Sequence, residues 1–73
     1  MKTCCDPRYG QLVKELAKAR RDAGFTQHQA ARALGWRRTL ISNIECGQRR
    51  IDILEAYALT KLYRVSLNRL LRF

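Results

Sequence analysis

Residues 26–47, TQHQAARALGWRRTLISNIECG, constrain the fold more than any other stretch of the chain. Thr26 is a good helix N-cap, and Ala30, Ala31 and Leu34 recur behind it at the spacing of one helix face. Gly35 then stands where a helix needs a residue that tolerates left-handed backbone. Beyond Trp36 a second apolar set begins, Leu40, Ile41 and Ile44, and Gly47 closes the unit. Two short helices therefore meet at a tight turn. Ala31 is small enough for the close contact that a steep crossing requires.

Alanine and glycine at these positions fit any small helical bundle. The outward face of the second helix decides between that reading and a more specific one. Arg38, Thr39, Ser42 and Asn43 lie between and opposite its apolar residues, and all four can hydrogen-bond base edges or phosphates. The charge agrees. The chain carries fifteen Lys and Arg against six Asp and Glu, a net charge of +9 over 73 residues. Such an excess attracts polyanions, nucleic acid first. From Phe25 to Ile51 there are Arg32, Arg37, Arg38, Arg49 and Arg50 against the single acid Glu45, so the excess falls on the same unit. The expectation is a helix-turn-helix whose second helix is read from outside.

The pieces ARRDAGFTQ at 19–27, AARALGW at 30–36, TLISNIECGQRR at 39–50 and LYRVSLNRLL at 62–71 resemble the phage repressor and Cro regulators, the Cro/CI-type or XRE-type helix-turn-helix family. The resemblance runs from about Leu12 to Leu71. It implies a sequence-specific transcriptional regulator, with Arg38, Thr39 and Asn43 facing base edges. Gln27 would touch phosphate or buttress the reading helix. Ala30 and Trp36 stand where the family usually has leucine and a smaller aliphatic, so Trp36 is expected to be largely buried at the turn. Cys46 stands where Asn or Arg is common, and Ile51 replaces a frequent proline. By chemistry, Arg37, Ser42, Arg49 and Arg50 suit phosphates, which position a protein without reading sequence.

The rest of the chain reads as scaffold for this unit. The expected architecture is all-α, a compact five-helix repressor-like domain over 7–73 with a flexible tail at 1–6. Its helices run over about 7–23, 27–34, 38–46, 52–63 and 67–71. Asp6-Pro7 reads as an N-cap and first helical residue. Tyr9, Leu12, Val13, Leu16, Ala17 and Ala23 form the inner face of the first helix, which ends at Gly24. Arg20 interrupts that stripe, and Glu45 edges the apolar face of the reading helix. Either they pair between helices, as in the resembled family, or both extend to water. Asp52 caps the fourth helix, with Ile53, Leu54, Tyr57, Ala58 and Leu62 as its buried face, and Ser66 caps the last. Leu67, Leu70, Leu71 and Phe73 exceed what a chain end usually needs. Some must pack on the core, and the remainder fit a homodimer contact, the alternative being complete burial in one monomer.

Other functions find little support. His28 has no acid near it in sequence, and the six acids form no clear pair, so no catalytic, metal or cofactor site is expected. Cys4, Cys5 and Cys46 are an odd set without a CxxC pair, and a switch built on Cys4, Cys5 and His28 is the remote exception. No apolar run approaches the roughly 18 residues of a membrane span, and no signal peptide is evident, so a cytoplasmic protein is expected. The alternative function keeps the fold: an antitoxin-like protein whose apolar C-terminus covers another protein while it also regulates its own gene.

Overall fold

In the computed structural model, which describes residues 7–71, five helices and no strand enclose one core among the described residues. They are α1 (Pro7–Asp22), α2 (Gln27–Leu34), α3 (Arg38–Glu45), α4 (Ile53–Tyr63) and α5 (Leu67–Leu70). The all-α expectation holds, with each boundary within a residue of the expected one. The tail, Cys4, Cys5, Asp6 and Phe73 lie outside the described residues.

Local chemistry starts and stops the helices. Thr26 Oγ1 accepts from Gln29 N at 3.1 Å, and Gln29 Oε1 accepts from Thr26 N at 2.9 Å. Two amides that the first turn of α2 leaves unpaired are thus satisfied reciprocally. Asp52 and Glu55 repeat the arrangement at α4, and Ser66 Oγ accepts from Arg69 N at α5. Gly35 ends α2 at φ 72° and ψ 24°, and Trp36 N then reaches back to Ala31 O at 2.8 Å. A side chain at Gly35 would be strained whatever the space around it. Arg64 ends α4 in the same left-handed region, at φ 59°.

The core is Leu16, Ala19, Ala30, Ala31, Ile41, Ile44, Leu59, Tyr63 and Leu70, drawn from all five helices. Ala30 and Ala31 are fully enclosed where α2 crosses α3, so the crossing rests on residues too small to hold the helices apart. Trp36 packs against this core with most of its surface covered, in keeping with the expectation of a largely buried indole at the turn. With Ala30 and Ala31 already filling the crossing, the indole covers its edge. In α1, Ala19 is buried and Ala23 is exposed, because Ala23 lies just beyond the helix end.

The expected inner face of α4 needs correction. Ile53, Leu54 and Tyr57 are 71%, 75% and 61% exposed, whereas Ala56, Leu59 and Tyr63 are buried. The helix is apolar on nearly every side, so periodicity fits more than one rotation. Small Ala56 faces inward, and Tyr63 packs on Phe25 with ring centroids 6.2 Å apart. Leu70 is buried as well, so within α5 Leu67 leaves apolar surface outside, as does Leu71 at its C-cap.

A polar contact joins α1 to α3. Arg20 Nε donates to Glu45 Oε2 at 2.8 Å and Arg20 Nη2 to Glu45 Oε1 at 3.2 Å, a bidentate pair with both side chains about nine-tenths buried. Arg20 Nη1 also donates to Phe25 O at 2.8 Å, which fixes the turn between α1 and α2. The hydroxyl of Tyr63 is buried without a hydrogen-bond partner among the described residues. Burial first, and the nearby Glu45 carboxylate second, push its pKa up to about 12 despite the opposing pull of Arg20.

Three outcomes follow for urea unfolding. Leu59→Ala should cost about 2–5 kcal/mol and Leu54→Ala under about 0.5, the reverse of what the α4 sequence suggests. Arg20→Ala should cost about 1–3 kcal/mol by stranding Glu45 among apolar neighbours, and Glu45→Gln less, since an acceptor remains. Tyr63 contributes to alkaline unfolding. Its folded pKa lies above the unfolded value, so stability is held below about pH 10 and falls as the pH rises toward 12. Tyr63→Phe should flatten that decline.

Candidate nucleic-acid interface

Helix α3, the expected reading helix, has two unlike sides. Ile41 and Ile44 are buried against α1 and α2, and Leu40 is packed beside them. Arg38, Thr39 and Asn43 are exposed, and Ser42 is half-buried. The spacing of 38, 39 and 43 places the three exposed side chains on one helix face. Arg37 occupies the N-cap of α3, but its side chain makes no capping bond and stays exposed. Its guanidinium remains available beside the positive end of the helix, where anions are favoured.

Gln27, at the start of α2, connects scaffold and surface. Its Nε2 donates to Glu45 Oε1 at 3.0 Å, and its Oε1 accepts from Arg38 Nη1 at a long 3.4 Å. Because Glu45 only accepts, the amide of Gln27 must turn its nitrogen inward and its oxygen outward. The outward oxygen then meets the guanidinium of Arg38. A continuous hydrogen-bonded row, Arg20, Glu45, Gln27, Arg38, thus runs from the core to the outer face of α3. Gln27 is half-buried, and both of its hydrogen-bond partners here are side chains of α3.

The segment after α3 folds back on that helix. Gly47 adopts φ 81°, and Gln48 N and Arg49 N both donate to Asn43 O, at 3.0 and 3.1 Å. Cys46 Sγ makes a weaker contact with the same carbonyl, at 3.6 Å, and is exposed. Arg49 is exposed but pairs with Glu55 of α4, whose hydrogen bond and charge hold its guanidinium more firmly protonated. Arg50 is exposed, and its side chain has no hydrogen bond or ion pair among the described residues. Of the two cations expected to meet phosphate here, Arg50 is therefore the unencumbered one.

Two residues of this region carry roles that sequence reasoning missed. Tyr9 stands in the expected apolar stripe of α1, yet its hydroxyl donates to Arg49 O at 2.8 Å and accepts from Ile51 N at 3.0 Å. Glu55 both completes the cap of α4 and holds Arg49. The Asp52–Glu55 spacing is a legible capping box. Nothing in the sequence signals the 40-residue reach of Tyr9.

The electrostatics of the face follow from these pairs. Glu45 is matched by Arg20, Glu55 by Arg49, and Asp52 is occupied at its cap. Exposed Arg32, Arg37, Arg38 and Arg50 are left without a neutralising acid on α2, α3 or the segment to Ile51. His28 is exposed on α2. No described helix is long and apolar enough to cross a membrane.

A helix-turn-helix family model matches residues 16–70, which takes in α2, α3, the turn between them and the caps of α2, α4 and α5. No curated protein matches the chain in sequence. The family match covers most of the chain and coincides with the two-helix unit, its glycine turn and its basic outer face. The protein belongs to the helix-turn-helix family of XRE, or Cro/CI, type, a family of DNA-binding transcriptional regulators.

Proposed function

We propose that the protein is a sequence-specific repressor that binds double-stranded DNA in the cytoplasm with α3 in the major groove. The observation that carries this is the pairing of a locked inner side of α3 with an outer side of Arg38, Thr39 and Asn43. The groove is wide enough for a helix and shows a distinct pattern for each base pair. Arg38 suits guanine, to which it can give two hydrogen bonds, and Asn43 suits adenine, giving one and accepting one. The Thr39 methyl suits thymine. Arg37, Ser42 and Arg50 take phosphates, with Arg49 joining only by sharing its guanidinium with Glu55.

The protein acts as a homodimer in this reading, and the supporting observation is apolar surface on α4 and α5. Ile53, Tyr57 and Leu67 line one groove with Ala56 and Thr60, and no charged side chain lines it. Exposed Leu54 of α4 and Leu71 at the C-cap of α5 add to the apolar area. Leu70, expected in the contact, belongs instead to the monomer core, and Phe73 lies outside the described residues. The same uncovered surface also favours the second reading, an antitoxin-like protein whose partner covers it. Purification from the host separates the two: a stoichiometric second polypeptide supports the partner, and a lone dimer supports the homodimer.

Selection from random DNA should return a palindrome with half-sites about one helical turn apart. On the selected site Asn43→Ala should lose about 1–3 kcal/mol of binding and on random DNA little, since only the matched base loses its partner. Arg50→Ala should weaken both and reduce the log–log salt slope by about one unit. Fluorescence anisotropy across a salt series measures all of these. An equal loss on both DNAs for Asn43→Ala would overturn its assignment to base readout.

A further inference from the structure

Between the end of α3 at Glu45 and the start of α4 at Ile53 the chain runs without helix, and this segment carries Arg50. Its first half is tied to α3 through Asn43 O. Its last residue is tied to α4 by the Asp52–Glu55 cap. In the stretch between, the Arg49 side chain pairs with Glu55 and Ile51 packs against the core, while the peptide groups on either side of Arg50 are held by one further group. The Tyr9 hydroxyl donates to the carbonyl before Arg50 and accepts from the amide after it. Both peptide groups flanking Arg50 are thus fixed by a single oxygen from the first turns of α1.

We propose that Tyr9 is a positioning residue for phosphate binding: its hydroxyl clamps the main chain on both sides of Arg50 and so sets where that guanidinium leaves the surface. The proposal rests on the assignment of Arg50 to phosphate. The physical case is one of prior ordering. An exposed loop without the clamp samples several backbone conformations, and binding must then select one at an entropic cost. With the clamp, that ordering is complete before DNA arrives. The ring of Tyr9 is half-buried, so its packing and its hydroxyl are separable by substitution.

Tyr9→Phe keeps the ring and removes one donor and one acceptor. The experiment compares Tyr9→Phe, Arg50→Ala and the double variant by fluorescence anisotropy. It uses the selected site and a random duplex over a salt series, at a temperature where circular dichroism shows each variant folded. Amide exchange at Ile51 reports the clamp itself. Tyr9→Phe should expose the Ile51 amide, weaken binding to both duplexes by the same factor, about three- to tenfold, and make the salt dependence shallower. On the Arg50→Ala background the same substitution should change affinity less than twofold, because the group it positions is gone. A role confined to stability would leave the salt slope unchanged. Wild-type affinity in Tyr9→Phe with the Ile51 amide exposed would overturn the proposal, as would losses that add in the double variant. If Arg50→Ala itself leaves both affinities unchanged, the phosphate assignment falls first and the clamp proposal with it.

Discussion

The bidentate contact between Arg20 and Glu45 is the constraint on which the outer face of α3 depends. Two opposite charges, each on the margin of an apolar stripe, are brought nearly out of water where α1 meets α3. The cost of desolvating them roughly cancels their attraction, so the pair is a poor source of net stability. Its value is directional. A bidentate fork fixes both distance and angle, whereas the contacts of Ile41 and Ile44 permit some rolling of α3 about its axis. Glu45 also accepts from Gln27, and Gln27 accepts from Arg38. The orientation of a core ion pair is in this way passed to a surface guanidinium through one amide with no freedom to flip.

Around that pair the molecule is held by one small core and by specific caps. A domain of this size has little interior to spare, and two of its most enclosed side chains are alanines. The turns are correspondingly specific: left-handed Gly35 between α2 and α3, left-handed Gly47 after α3, and reciprocal caps at Thr26 and Asp52. Several acids serve these local tasks. Asp52 caps, Glu55 caps and pairs, and Glu45 is internal. The consequence is electrostatic, since acids spent within the scaffold leave the arginines of the outer face uncompensated.

The fold and much of the site were legible in the sequence because they rest on local rules. Thr26, Asp52 and Ser66 cap helices through atoms three residues away, and Gly35 is required by its own backbone angles. The face with Arg38, Thr39 and Asn43 follows from the position of Ile41 and Ile44 on the same short helix. Family resemblance pointed to the same residues for their roles. The rotation of α4 was not legible. In ILEAYALTKLY apolar side chains surround the axis, so periodicity fits more than one face, and packing against α1, α2 and α5 chooses Ala56, Leu59 and Tyr63.

By itself, the sequence determined the number of helices, their limits, the turn between α2 and α3, and which charges lie on the outer side of α3. All of these are settled within a few residues along the chain, by capping, by left-handed glycine and by 3.6-residue periodicity. Tertiary structure decided which apolar residues of α4 and α5 remain outside. It decided that Glu55 holds Arg49 while Arg50 stays unengaged, and that Tyr9 closes on a loop some 40 residues away. Those outcomes depend on how whole helices pack, and a hydroxyl or a carboxylate finds its distant partner only after the backbone has been placed. Pattern within one helix states what a side chain can do, and the packing of five helices fixes what it meets.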